Sequence, residues 1–143
     1  MSGRREWIVP DCWLPPAGGD GDLVNHESLM ILNTSDEDAE ILIDLYFEDR
    51  EPVLGLKHSV GARRIRAIRL DQAPDLKFEV PRATQYALRV RSSVPVSVQY
   101  GRMDVRQLIT AQWHFRRTEQ NPERKRPEKR NIVSLVFAMP FCL

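Results

Sequence analysis

Two apolar runs separated by a polar corner, from Leu29 to Phe47, restrict the folding of this chain more than any other segment. Leu29-Met30-Ile31-Leu32 is too short and too uniformly apolar for an amphipathic surface helix, so it reads as a buried strand. Asn33-Thr34-Ser35-Asp36-Glu37-Asp38 supplies side chains that bond their own backbone and favour a turn. Beyond the corner, Ile41, Ile43, Leu45 and Phe47 fall on one face and Glu40, Asp44, Tyr46 and Glu48 on the other. That period of two belongs to a half-buried strand, with Leu42 its one break. The pattern predicts a β-hairpin.

The same period recurs downstream. Tyr86, Leu88 and Val90 alternate with Arg89 and Arg91, and Val94, Val96, Val98 and Tyr100 alternate with Ser93, Ser97 and Gln99, which predicts two strands with a corner at Ser92-Ser93. Val53 to Val60 reads as an edge strand, and Gly61 to Leu70 fits a helix about as well as a strand; the flanking strands favour a strand. Trp7-Ile8-Val9 is a short strand ended by Pro10, and Trp13-Leu14-Pro15-Pro16 cannot lie inside a sheet. Ala17 to Asp22 is expected to be a flexible loop, and Asp71 to Pro81 a loop with an extended piece at Lys77 to Val80. Many short strands without a long helix imply an all-β fold, a single antiparallel β-sandwich or barrel over residues 1–115.

Charge divides the chain where the pattern does. Arg116 to Arg130 holds seven Lys or Arg against three Glu, while the first 115 residues carry a net charge of −3. The domain was therefore not shaped for polyanions, and any binding of nucleic acid rests on the tail. Residues 116–143 read as a basic, solvated and disordered linker followed by a short apolar segment, Asn131 to Leu143, open to three fates: a returning strand, a partner-binding segment, or no packing. Cys12 and Cys142 have no metal or redox spacing. The apolar core of a secretion signal and a membrane-length run are both missing, so a cytoplasmic protein is expected.

Catalytic signals are weak. His26, His58 and His114 are far apart, no phosphate loop or nucleophile elbow occurs, and Asp36-Glu37-Asp38 lacks the spaced ligands of a calcium loop, so the corner reads as a solvated turn. His26 and Glu27 would pair as a base and its orienter only in a loop, because adjacent strand residues face opposite ways. Arg63, Arg64, Gln99, Arg102, Asp104 and Arg106 put fork donors, an amide and a carboxylate near strand ends, suited to carboxylates or vicinal hydroxyls, although surface pairing with the domain's acids accounts for them too. Trp7, Trp13 and Trp113 are sugar-stacking or core residues, Trp13 being the best candidate for exposure. The expectation is a protein that is not an enzyme and uses no cofactor or metal; the alternative is a DNA-binding regulator acting through the tail.

Taken in register, these residues resemble the sensory rhodopsin transducer family. His26-Glu27, Ile31-Leu32-Asn33, Asp36-Glu37-Asp38-Ala39, Tyr46, Asp49, Glu51-Pro52 and Ala62-Arg63-Arg64 form one matching block, with Pro15-Pro16 before it. Ala87, Val94-Pro95, Val98-Gln99, Arg102, Asp104 and Arg106-Gln107 form the second. The resemblance implies a β-sandwich in a ring-like homotetramer, partnered with a rhodopsin-type membrane receptor in the founding case and with small, sugar-like polar ligands in other relatives. It makes His26, Glu27, Arg64, Gln99, Arg102 and Asp104 the expected ligand contacts, with Asn33 and Asp36 as turn-formers. Trp13 and Tyr100 stand where the family pattern has Tyr and His, Cys12 where it has Gly, and Gly61 where it has Pro. Those departures bear on the pocket more than on the fold.

Overall fold

Alternation from Tyr86 to Tyr100 is carried by one strand rather than two. In the computed structural model, which describes residues 3–20, 23–105 and 135–137, the chain forms β1 (Arg4–Trp13), β2 (Gly19–Asp20), β3 (Leu23–Val24), β4 (His26–Asn33), β5 (Ala39–Phe47), β6 (Val53–Val60), β7 (Arg64–Arg69), α1 (Ala73–Leu76), β8 (Gln85–Met103) and β9 (Leu135–Phe137). The corner expected at Ser92-Ser93 is a bend within β8, where the strand changes partner: Ser92 is the last residue opposite β5, and Ser97 the first opposite β4. Ser93 keeps the opening bonded, its hydroxyl accepting the Glu40 N–H at 2.9 Å and its carbonyl accepting the Arg5 guanidinium.

All pairings are antiparallel, and the sheet runs β6-β5-β8-β4-β7, with β1 beside the first part of β8 and β9 beside the last. The two layers of the expected sandwich are halves of this one curled sheet. Leu29 and Ile31 from one half and Ile41, Ile43, Leu45, Leu88 and Val90 from the other share a single buried cluster. Each such side chain removed from water contributes about 1.5–3 kcal/mol.

The hairpin expected from Leu29 to Phe47 does not form. Both strands exist, but β4 is flanked by β7 and β8, and β5 by β6 and β8, so neither has a free edge for the other. The corner instead carries the chain from one half of the sheet to the other. Asn33, fully buried, holds it: its Nδ2 donates to the carbonyls of Glu37 (2.7 Å), Val60 (3.2 Å) and Gly61 (3.1 Å), and its Oδ1 accepts from the Ser35 N–H at 3.0 Å.

Smaller differences have local causes. The loop expected at Asp71 to Pro81 contains α1, a single turn seeded by Pro74, anchored by buried Leu76 and ended by Lys77 at φ 68°. Four residues are too few to leave a periodic signal. Within the loop expected at Ala17 to Asp22, Gly19–Asp20 forms β2, paired with β3 just beyond it. Pro10 lies inside β1 at a register irregularity of this outer strand, where its missing N–H is tolerated. Trp7 and Trp13 are both half-buried. Of the three fates open to the apolar end segment, the returning strand is the one formed, with Val136 opposite Arg102. The linker expected over 116–130 lies outside the described residues, as do Arg106, Trp113, His114 and Cys142.

Candidate functional site

At the start of β4 the inward alternation of Leu29 and Ile31 places an acid, Glu27, in the core, with no exposed surface. An ionised carboxylate there requires donors on every side. Glu27 Oε1 accepts the Trp13 backbone N–H at 2.9 Å, the Arg102 Nε–H at 3.1 Å and the Tyr100 hydroxyl, while Oε2 accepts the Tyr86 hydroxyl at 2.5 Å. Four donors match the roughly four lone-pair sites of a carboxylate. Because Trp13 and Tyr86 belong to one half of the sheet and Tyr100 and Arg102 to the other, this one side chain ties the halves together.

Burial raises the phenol pKa of Tyr86 and of Tyr100, and the adjacent Glu27 charge raises both further. Burial and then Glu27 likewise push the Cys12 thiol up, so that thiol stays protonated and unreactive. Arg102 faces outward from the cluster: its guanidinium lies 5.9 Å from the Tyr100 ring centre and 3.8 Å from the exposed carboxylate of Asp11. Its side chain keeps 20% exposure. Next to it, buried Asn25 accepts the Val105 N–H at 2.7 Å and donates to the Pro16 carbonyl at 3.0 Å, fixing the chain just past Asp104, which is half-buried.

The structure brings together Glu27 and Arg102, with half-buried Asp104 two residues beyond Arg102, just past the end of β8. His26 lies on the other face of β4, its Nδ1 2.8 Å from the Val24 carbonyl, so it does not meet Glu27. Gln99 is exposed opposite Met30, also on the outer face. Arg64 pairs with Asn33 at the far end of β4, seven residues from His26, or about 23 Å along a strand. Sequence reasoning passed over Tyr86, Asn25 and Asp11. Tyr86 was legible as inward-facing, and a buried phenol needs a partner; nothing in the sequence says that the partner is Glu27.

A second buried acid, Asp44, sits on β5. Its carboxylate accepts the Gly55 N–H at 2.7 Å, Arg89 Nε at 2.9 Å and Arg91 Nη2 at 3.0 Å. Burial pushes this carboxyl up, but the Gly55 N–H and the two guanidiniums outweigh it and hold the pKa below the usual carboxylate value. Among the described residues no group of three or more His, Cys, Asp or Glu converges as a metal site, and no helix is long and apolar enough to cross a membrane.

Comparison with known proteins extends the picture. The family described as the Anabaena sensory rhodopsin transducer matches residues 2–114. Among solved structures, the Anabaena sensory rhodopsin transducer is 36% identical, with a TM-score of 0.64 over 77% of this chain and 96% of that one. The crystal structure of Thermotoga maritima 1070 is 31% identical, with a TM-score of 0.69 over 96% of this chain and 93% of that one. No curated protein matches the chain in sequence.

Proposed function

Because the chain belongs to the sensory rhodopsin transducer family, we propose that it is a non-enzymatic cytoplasmic signalling protein that relays the state of a rhodopsin-type membrane receptor. The observation that carries this reading is the 36% identity to the Anabaena transducer across 96% of that protein's length. A relay needs a rigid body with a presented surface, and the curled sheet pinned by Glu27 and Asp44 is suited to that. The working form is a homotetramer, with the outer face of β4 and β7 in contact with a second copy.

Small polar ligands, sugar acids foremost, bind at the Arg102 rim with Asp104 beside it. Arg102 provides the fork that pairs with a carboxylate or vicinal hydroxyls. Glu27 acts as a positioning residue, since its own lone pairs are occupied. The test is titration of the full chain into nanodiscs carrying a rhodopsin-type photoreceptor. Saturable binding is expected, and no binding beyond that to empty nanodiscs would sink the relay. A thermal-shift screen against sugar acids, run in parallel on Arg102→Ala, addresses the rim: identical shifts in both proteins would remove Arg102 from ligand binding.

A further inference from the structure

β6 and β7 stand at the two ends of the strand order, and the curled sheet does not pair them with each other. Side chains bridge the seam instead. Arg66 on β7 donates to the Ser59 carbonyl of β6 at 3.2 Å. The other ties come from α1, the single turn that follows β7. Lys77, at its left-handed end, donates to the Lys57 carbonyl of β6, while Asp75 accepts the Arg69 N–H of β7 at 2.6 Å and lies 3.9 Å from Arg66. Leu76, with no exposed surface, anchors the turn in the core. The turn therefore spans two edge strands that no backbone ladder joins.

It also closes on a titratable group. His58, beside Lys57 on β6 but on the core-facing side, is 7% exposed, and its Nε2 lies 3.2 Å from the Leu76 carbonyl. A carbonyl only accepts, so Nε2 carries the hydrogen and Nδ1 is the bare acceptor of a neutral imidazole. Nδ1 is buried and has no hydrogen-bond partner among the described residues. A proton there would create an N–H with nothing to accept it and a charge away from water. The surrounding groups make this worse: burial first, then Lys77 and Arg66, lower the His58 pKa, against a smaller opposing pull from the Leu76 carbonyl and Asp75. On β5 the residue opposite is Ile41, and by alternation Glu40, Lys57 and Arg91 lie on the outward face.

We propose that α1 is a latch released by acid: a proton on His58 Nδ1 is accommodated only when the Leu76 carbonyl lets go and the ring reaches water, so acidification undocks the turn and bares the β6 edge at Lys57 and the apolar seat of Leu76. Because the folded pKa is lowered, the closed latch keeps its full stability above the ordinary histidine value of about 6.5 and loses it as the pH falls below that value. The opening equilibrium then rises about tenfold per pH unit. Carboxylates ordinarily titrate near pH about 4, so between pH about 6.5 and about 5 the histidines are the side chains that respond.

Backbone hydrogen exchange of the full chain, followed by NMR from pH about 7.5 to about 5 and corrected for intrinsic exchange, tests this. The readout is the N–H groups of Leu76 and Lys77, which donate to the Gln72 and Ala73 carbonyls at 3.0 and 2.7 Å. Their opening is expected to grow about tenfold per pH unit below about 6.5, equally in the parent and in His26→Gln combined with His114→Gln, and to stay flat in His58→Gln, whose amide still donates to the Leu76 carbonyl without titrating. The β4 amides of Leu29 and Ile31 are expected to stay at least about tenfold better protected throughout, because the turn lets go while the sheet holds. A flat profile in the parent, the same slope in His58→Gln, or α1 and β4 amides opening together would overturn the latch. Should His58→Gln fail to fold, the ring of the parent decides. Imidazole nitrogen shifts are expected to show His58 taking up its proton only as the Leu76 and Lys77 amides lose protection, and a ring that protonates while they stay protected would overturn the latch as well.

Discussion

Glu27 shows how much one side chain settles when it has no access to water. Replacing it by Gln removes the charge that Arg102 faces and puts an amide N–H₂ against hydroxyls that now donate to a carboxylate. Glu27→Gln is expected to cost about 3–5 kcal/mol in urea unfolding, the range for breaking a buried pair from one side. A loss under about 0.5 kcal/mol, the level of an ordinary surface change, would mean that the four contacts do not hold the halves together. Tyr86→Phe keeps the ring packed and removes one donor, so its expected cost is smaller, about 1 kcal/mol. In the sequence Glu27 could be read only as a polar residue beside His26. Its burial follows from the parity of Leu29 and Ile31, which was legible, whereas its donors arrive from β1 and β8, whose register with β4 no local pattern encodes.

At the scale of elements, β4 and β5 were found as strands because their apolar spacing is dictated by the face that each buries. Their pairing was misjudged because the polar corner between them looks the same whether it closes a hairpin or crosses between sheet halves. Asn33 separates the two cases, since besides the corner's own Glu37 carbonyl its amide reaches those of Val60 and Gly61, which a two-strand turn would not bring near. Asn33→Ala is expected to destabilise by about 2–3 kcal/mol. Asn33→Asp should be worse at neutral pH, because a buried carboxylate then faces those carbonyls, and should approach the Ala variant as the pH falls and the acid regains a proton to donate. Equal stabilities for the two variants from neutral pH to pH about 4, the ordinary carboxylate range, would refute that account of the corner.

Asp44 belongs to the same scale and was placed on the exposed face by its parity. Gly55, at φ 72° in β6, lets the edge strand bulge over it, and Arg89 and Arg91 on β8 close the other side. Because its pKa is lowered on folding, its contribution is full above the unfolded value of about 4 and is lost as the pH falls through the lower folded value. Asp44→Asn is expected to cost about 2 kcal/mol at pH 7, with the partial exposure of both arginines keeping the figure low. The variant should also lose less stability than the parent on acidification, and parallel pH profiles would exclude Asp44 as the source.

For the whole molecule, the outer face of the β4–β7 half has a chemistry that a solitary sheet face does not need. Leu32 is opposite Ile65, and the two are 40% and 66% exposed; Met30 and Ala67 form the next rung on the same face. Exposed apolar residues taken singly mean little, but contiguous cross-strand pairs on one face mark an interaction surface. In the proposed tetramer that surface is covered by a second copy, and the edge residue Ile65 is its most exposed member. Ile65→Asp leaves the core untouched, since the side chain points away from it, and places a charge where the copies meet. Light scattering after size exclusion should show the parent chain as a tetramer and the variant as a smaller species with an unaltered circular dichroism spectrum. A parent chain that elutes as a monomer would remove the assembly itself, and a variant that remains tetrameric would move the interface to another face.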